Sequence, residues 1–490
     1  MIRAEWTKFR SVRAWMAGIV VAFAAILGLG IAGAYGIQQD CLGQVCPALP
    51  TGPGGEAVRD KFSYVHQILD GDGELTAHLA GFTGIITYPP PNHDTIVPGL
   101  VPWAKAGLMI KDGTKEGGAY AAVMMTGHNG VRMQHDFTED KAGPSAASWL
   151  RITRAGDKIT AFSSNDGATW TTVGSVTLER LPKSVNIGLF ATSPSDITNE
   201  PSPRGGNRVQ ARFTQATAVF DRVDRTGEWT FTKVGDTGEQ TDWQKYHQAD
   251  GYTQSDGKLT VSGSGDIAPA GHEGGPTIDF TLTGLIVALI AVIIVGALFI
   301  TGEYRRGLIR TTYAAMPARG RVLAAKAAVL GAVTFVPALL AAAIVVPVAS
   351  RLVRSHHVTL LPTSAGTQIR VIVGAALLLS LAAIFAYALG AALKRGTIAI
   401  ALAVVLVVLP YLLATTSLLP PGAGRWLLRL TPAAGFAFQQ ILPAYHQVYL
   451  PYTPSDGYYP LAPWAGLGVL AAWAAALLAL AVLRARRSDA

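Results

Sequence analysis

Carboxylates are nearly absent from half of this sequence. Residues 38–279 carry 20 Lys and Arg against 28 Asp and Glu, whereas the rest carries 20 against only four. The net charge of +8 therefore combines an acidic segment with a strongly basic remainder. Carriers coupled to protons or sodium depend on intramembrane carboxylates or broken-helix ion sites, so this scarcity disfavours them. The basic residues flank hydrophobic runs, so they do not indicate nucleic-acid binding.

Cysteine is scarce as well. The only two, Cys41 and Cys46, stand just after the first apolar run. A location outside the cell permits a disulfide that closes this small loop. Two free thiols or half of a metal site are the alternatives, but a metal site lacks two further ligands nearby. We therefore expect a Cys41–Cys46 disulfide and no metal.

Two catalytic signatures are missing. No G-x-x-x-x-G-K-[ST] stretch is present, so this chain has no phosphate-binding loop of that type for ATP. Glycosidases need two carboxylates placed across a cleft. Glu139 and Asp140 are adjacent in what reads as a solvated turn, which does not meet that need. We therefore expect no enzyme, and any ATP-driven work must come from a partner protein.

Long hydrophobic runs are abundant instead. Each is about 20 residues or more, the length that a bilayer core requires. They predict a membrane α-helical bundle of six transmembrane helices at 14–37, 280–301, 324–350, 369–393, 396–419 and 461–483. Residues 420–460 are too interrupted by proline and glycine to span. We expect a re-entrant segment in the outer leaflet with an interfacial aromatic belt formed by Phe436, Phe438, Tyr445, Tyr449 and Tyr452.

The short loops between these runs differ in charge. One side holds 15 Lys and Arg and the other only five. Basic loops stay on the cytoplasmic side, so both termini are expected in the cytoplasm. Residues 38–279 then form a large extracellular domain of a multi-pass protein in the cell membrane.

The outer segment shows the period of two that is typical of half-buried strands. In VRMQHDF, the residues Val131, Met133, His135 and Phe137 fall on one face; SWLRITR and KLTVSGS alternate likewise. Asn129-Gly130 and Gly156-Asp157 supply the tight turns between such strands. The pattern predicts an all-β antiparallel sandwich inserted between helices 1 and 2.

The stretch SSNDGATW resembles the Asp-box hairpin, a folding device in which a tryptophan packs beneath the turn. The matching residues are Ser163, Asn165 at the Asp position, Gly167, Thr169 and Trp170. The surrounding run, KAGLMIKD through SVNIGLFATS, resembles a concanavalin A-like sandwich of the laminarin-binding or glucanase-like kind. That resemblance implies a cell-surface glycan as a partner, with Trp103, Trp149 and Trp243 as candidates for stacking on a sugar.

A basic loop at 302–321 lies between the second and third runs, within the stretch TGEYRRGLIRTTYAAMPARGR of residues 301–321. It resembles the cytoplasmic loop of ABC-2 type permeases of the actinobacterial type, and EWTKFRSVRAW resembles their N-terminal elbow. In that family the loop is a coupling helix that docks on an ATP-binding subunit. The residues implied in docking are Glu303, Tyr304, Arg305, Arg306, Leu308, Ile309, Arg310, Thr311 and Thr312.

The resemblance divides the chain into an elbow with helix 1 (1–37), the outer domain (38–279) and helices 2–6 (280–490). It implies the permease subunit of an ATP-driven exporter of unstated substrate. A separate ATP-binding subunit binds ATP and magnesium. A second permease half, identical or different, completes the translocation path. Two alternatives stay open at this point. The alternative to a transport function is a membrane-anchored carbohydrate-binding or sensing protein. The alternative to docking is that the arginines of the basic loop only obey the positive-inside rule.

Overall fold

The computed structural model describes residues 2–37, 48–88, 95–179, 181–201, 207–236, 250–316, 318–416 and 418–487. Cys41, Cys46 and Trp243 lie outside the described residues. The helices are α1 (Ile2–Ser11), α2 (Arg13–Gly36), α3 (Leu285–Arg305), α4 (Leu308–Ala315), α5 (Arg319–Ser355), α6 (Ala365–Leu393), α7 (Gly396–Val407), α8 (Leu409–Thr415), α9 (Pro421–Leu430) and α10 (Pro463–Arg487).

The strands all lie between α2 and α3. They are β1 (Val58–Asp60), β2 (Phe62–Asp70), β3 (Gly73–Thr87), β4 (Ile96–Pro98), β5 (Lys105–Lys111), β6 (Tyr120–Thr126), β7 (Val131–His135), β8 (Glu139–Ala142), β9 (Trp149–Ala155), β10 (Lys158–Ser164), β11 (Thr171–Thr177), β12 (Ser184–Thr192), β13 (Asp196–Pro201), β14 (Asn207–Asp221), β15 (Thr230–Val234), β16 (Gly251–Ser255), β17 (Lys258–Gly263) and β18 (Ile267–Pro269).

Within the described ranges, six helical segments are long and apolar enough to cross a membrane. They are Arg13–Gly36, Leu285–Arg305, Arg319–Ser355, Ala365–Leu393, Gly396–Thr415 and Pro463–Arg486. The prediction of six apolar helices is confirmed. The third, of 37 residues, extends beyond the predicted 324–350 at both ends. Its helix continues through the basic residues that flank the apolar run, because backbone hydrogen bonding does not end where hydropathy falls.

The helices pack around one apolar core to which α2, α3, α5, α6 and α10 all contribute. Helices α3 and α6 approach each other closely at Gly296. A Cβ atom there would lie 2.3 Å from the carbonyl oxygen of Ala383, so only glycine fits. Such small-residue contacts are the usual means by which membrane helices pack without a hydrophobic driving force.

The strands form two main antiparallel sheets, one of nine strands and one of seven. Both sheets contribute to a shared apolar core, which includes Leu150 and Ile152 of β9 and Leu259 and Val261 of β17. The predicted alternation of these two strands is therefore confirmed. The turns at Gly130 and Gly156 have φ of 71° and 61°, as tight hairpins between right-twisted strands require.

The opposite face of the seven-stranded sheet is also covered. Phe62, Tyr64, Tyr120 and Phe190 pack there in a second cluster beneath β1 and β18, which pair with each other. Two lysines are fully buried on this face. Their Nζ atoms lie 2.6 Å from the Asp266 carboxylate for Lys105 and 2.7 Å from that of Asp60 for Lys111. Burial of a charge requires such a partner.

Phe137 does not follow the predicted alternation. Strand β7 ends at His135, and Asp136 and Phe137 have φ of 47° and 63°. This reversal carries Phe137 away from the face of Val131 and Met133 and into the second cluster, against Tyr120. A period-two pattern carries no information about where a strand ends, so the face of Phe137 was predicted wrongly.

Residues 420–460 connect the two parts of the molecule. Phe436 and Phe438 are buried, and the Phe436 ring stacks on Tyr411 at 3.8 Å, so the prediction that both phenylalanines lie in an interfacial belt is wrong. Gln447, also buried, donates its amide to the carbonyl oxygens of Phe137 (3.0 Å) and Thr138 (3.1 Å). The strand-rich part between α2 and α3, called the strand segment below, is therefore hydrogen-bonded to the membrane part through residues 137 and 138, which are distant in sequence from both chain connections.

We expect Gln447→Leu to loosen this contact. Two buried carbonyl groups lose their donor, at a cost of about 1–3 kcal/mol. Hydrogen exchange, measured by mass spectrometry on the full chain in detergent, should accelerate at residues 136–142 and stay unchanged at the β9–β10 turn. His446→Ala, at the exposed neighbouring position, is the control. Unchanged exchange at 136–142 contradicts a clamping role.

Candidate functional site at the basic loop

The basic loop folds as a short amphipathic helix. Gly307, with φ of 69°, ends the preceding transmembrane helix α3 and starts α4. A residue with a side chain rarely adopts this left-handed conformation, so glycine marks the break. On α4, Ile309 and Tyr313 are buried, whereas Leu308 is 42% exposed and Arg310 and Thr311 are exposed. One face of α4 is thus attached to the bundle and the other is free.

An ion cluster lies beside this helix. Lys326 of α5 is fully buried, and its Nζ lies 2.5 Å from Oε2 of Glu5 on α1 and 2.7 Å from Oε1 of Glu303 on α3. Lys8 of α1 also pairs with Glu303. Three helices that are distant in sequence therefore meet at one ammonium group. The carboxylates offset the large cost of placing that charge inside the bundle.

Aromatic rings complete the attachment of α1. The buried Phe9 ring lies 5.7 Å from Trp15 and 5.4 Å from Phe299, and the Trp15 ring lies 5.0 Å from Phe299. The Lys326 ammonium is 5.4 Å from the centroid of Phe299. The two pairs with Phe299 are edge-to-face, and such pairs add stability beyond their buried area. The elbow helix is therefore fixed to the ends of α3 and α5.

This geometry divides the predicted docking residues into two groups. Glu303 is only 2% exposed and Ile309 only 4%, so neither side chain can contact a partner directly. Their inclusion as docking residues is corrected: Glu303 belongs to the ion cluster and Ile309 to the bundle core. Tyr304 and Thr312 are half-buried. The exposed members are Arg305, Arg306, Leu308, Arg310 and Thr311.

The Asp-box-like stretch does form the turn between β10 and β11. The residue that holds it is Asp166, and the prediction of Asn165 in this role is wrong. The Asp166 carboxylate accepts hydrogen bonds from the amides of Ala168 (2.8 Å) and Thr169 (2.7 Å) and from the Ser164 hydroxyl (2.9 Å). These bonds hold the pKa of Asp166 well below its usual range. Asn165 is exposed and uses its backbone carbonyl to accept from Ser148.

The tryptophan that lies beneath this turn is also a different one. A Cβ atom at Gly167 would lie 2.8 Å from the Trp149 ring, so Trp149 of the neighbouring strand supports the turn. Trp170 instead stacks against the Arg151 guanidinium, 4.0 Å from its ring centroid. Ser163 is buried on β10 and its hydroxyl has no partner among the described residues. Thr169 supplies a hydroxyl to Asp166 at 3.1 Å.

The strand segment presents few accessible aromatic rings of the kind that stack on a sugar, which the prediction of glycan binding requires. Trp103 is buried, and the half-buried Trp149 and Trp170 each have an arginine over the ring. No phenylalanine, tyrosine or tryptophan within the described part of this segment is largely exposed. Nor do the described residues contain a group of three or more His, Cys, Asp or Glu that could hold a metal. Glycan binding by this segment stays a prediction.

These features define a multi-pass membrane protein with a basic, amphipathic helix at one face of its bundle. A family model described as "ABC-2 family transporter protein" matches residues 131–490, and the chain belongs to this family. It is therefore a permease of an ABC transporter, a membrane transport subunit that is not itself catalytic. Membership of the family implies an ATP-binding partner subunit.

No curated protein matches this chain. Two solved structures are similar to part of it. A functionally unknown protein from Saccharomyces cerevisiae is 16% identical over 39% of this chain and 84% of that chain, with a TM-score of 0.20. SCP-B, a member of the eqolisin family of peptidases in complex with the tripeptide Ala-Ile-His, is 11% identical over 42% of this chain and 98% of that chain, with a TM-score of 0.22. Similarity at this level contributes nothing to fold or function.

We expect Lys326→Met to destabilise the protein strongly. Two carboxylates then lie buried without their shared cation, and breaking a buried pair in this way costs about 3–5 kcal/mol. Unfolding followed by intrinsic fluorescence in detergent measures the loss. Arg321→Met, an exposed position on the same helix, should stay within about 0.5 kcal/mol of the unchanged protein. Equal effects of the two substitutions contradict the assigned role of the ion cluster.

Proposed function

We propose that this chain is the membrane-spanning half of an ATP-driven exporter and that a separate ATP-binding subunit docks on α4. That subunit holds ATP and magnesium, and a second permease half completes the translocation path. The exposed face of α4 supports this proposal most directly. Leu308 and Thr311 project from a helix whose opposite side is buried through Ile309 and Tyr313.

Such a helix suits a groove on a partner. An exposed apolar residue surrounded by cations can fill an apolar groove with an acidic rim, and the charges steer the encounter. The buried face of α4 fixes the orientation of the exposed one, so little conformational freedom is lost on binding. These properties distinguish α4 from a loop whose arginines serve only as topological anchors.

The ion cluster gives docking a mechanical consequence. Movement of α4 acts on α3 through the short break at Arg306 and Gly307. Glu303, three residues before Arg306, is bonded to Lys326 of α5, which is bonded to Glu5 of α1. A displacement at the docking helix therefore acts on the elbow and on two membrane-spanning helices together. Rigid, packed elements of this kind are the physical carriers of coupling between distant sites.

The charge distribution supports an orientation. With 15 Lys and Arg in the short loops of one side and five on the other, α4 and both termini belong in the cytoplasm. The strand segment then lies outside the cell as a lectin-like sandwich. The hydrogen bonds that Gln447 donates to its Phe137 and Thr138 carbonyls support its movement together with the outer ends of the helices.

We expect Leu308→Asp combined with Thr311→Asp to abolish docking. Both positions are exposed, so the permease should fold normally while an apolar groove rejects the new carboxylates. The readout is recovery of an ATP-binding protein with a tagged permease from its native membrane, quantified by mass spectrometry. We expect at least a tenfold loss, since burying an unpaired charge costs several kcal/mol.

Ile68→Asp on β2, whose side chain is 66% exposed, is the matched control and should retain the partner. Two results contradict docking on α4. One is full recovery of the ATP-binding protein with the double variant, and the other is the absence of any such protein from preparations of folded permease.

A further inference from the structure

A large cavity of about 1020 Å³ lies beside α4. It is bounded by the start of α2, the end of α3, the start of α7 and the end of α10. Four membrane-spanning segments thus begin or end around it, which places the cavity at one face of the membrane. The cationic side chains that line it are Lys8, Arg305, Arg306, Arg310, Lys394, Arg395 and Arg484.

Few carboxylates of the described residues lie close enough to neutralise these cations. Among the described residues, Glu303 is the one carboxylate in the lining, and it already pairs with Lys8 and Lys326. In the described part of the chain, no carboxylate oxygen lies within 4.0 Å of Arg306, Arg310 or Arg395. Like charges gathered around one cavity repel each other and raise the local potential, which attracts an anion of matching size.

The cavity also has an apolar wall. Trp15, Leu298 and Ile398 line it, and the last two are 42% and 41% exposed on the outer surface of their helices. Those exposed side chains are on membrane-spanning segments, where they contact acyl chains. The cations and this apolar surface are continuous, so a ligand with an anionic head and a hydrocarbon tail fits both.

We propose that this cavity binds the headgroup of an anionic phospholipid. Arginine guanidinium groups from α3–α4 and from the α6–α7 turn hold the phosphate, since a planar fork of donors suits phosphate oxygens. An acyl chain lies along Leu298 and Ile398. Basic pockets between membrane helices bind anionic headgroups in this way. Leu308 and Arg310 belong both to this lining and to the exposed face of α4 proposed for ATPase docking, so the test of lipid binding is made without an ATP-binding partner.

The test is thermal unfolding of the purified full chain with added lipid, without any ATP-binding partner. Dioleoyl-phosphatidylglycerol should raise the melting temperature in a saturable manner, and dioleoyl-phosphatidylcholine should not. In Arg306→Gln/Arg310→Gln/Arg395→Gln the apparent affinity should fall about a hundredfold, at about one kcal/mol for each cation removed. Arg351→Gln/Arg354→Gln, two exposed arginines at the other end of α5, should behave like the unchanged protein.

Three results overturn the proposal. Equal stabilisation by phosphatidylcholine shows a nonspecific detergent effect. Equal loss in the Arg351/Arg354 control shows a general charge effect. Saturable stabilisation by inorganic phosphate or ATP at concentrations similar to those needed with phosphatidylglycerol assigns the cavity to a soluble phosphate.

If the triple variant does not fold, Lys394→Gln/Arg395→Gln replaces it, because both residues are exposed on the α6–α7 turn. Its affinity for phosphatidylglycerol should fall about thirtyfold for the two charges removed. Unchanged affinity for phosphatidylglycerol in that variant also overturns the proposal. Failure here leaves ATPase docking untouched, since the Leu308/Thr311 double variant tests that separately.

Discussion

The membrane part depends on a single buried ammonium group. Lys326 lies inside the helical core with no exposed surface, and an uncompensated charge there is prohibitively costly. Outside residues 38–279 the chain has only four carboxylates, and two of them, Glu5 and Glu303, bind this lysine. The placement of these two acids thus has one physical cause, since both neutralise Lys326. A charge on α5 has to be satisfied from α1 and α3, which brings the elbow and the loop helix together.

Two further features follow from that constraint. With α1 held against α3, the basic residues at the ends of the spans converge around one cavity and α4 keeps a free face. At the opposite end, the strand segment is joined by the paired strands β1 and β18 and by the Gln447 hydrogen bonds. One connected bundle therefore carries the basic cavity and the free face of α4 at one end and the strand segment at the other.

Local patterns predicted the elements well and the contacts poorly. Apolar runs indicated six helices, and period-two alternation indicated β9 and β17, because each signal lies within its own element. Glu303 and Ile309 were assigned to a docking surface because a loop sequence does not show which way its helix faces. The decisive partner, Glu5, is 321 residues from Lys326. A lysine inside an apolar run was the available signal, since such a charge requires a nearby carboxylate.

The hairpin at 163–170 shows the same limit on a smaller scale. The motif spacing pointed to Asn165, yet a carboxylate one residue later makes the stronger bonds to the turn amides. The chemistry of the side chain determines which residue holds the turn, and the spacing of the motif pointed to the residue one position before it. Family membership, in contrast, follows from a match over most of the chain and does not depend on any single position.

The most direct test of the account is a double-mutant cycle between Glu5→Gln and Lys326→Met. The free energies of unfolding of both single variants and the double variant are compared with that of the unchanged protein. If the elbow is held by this ion pair, the double variant is more stable than the sum of the single effects predicts, by about 0.5–3 kcal/mol. Additive effects, within about 0.5 kcal/mol, would show that the elbow and α5 are not coupled through this contact.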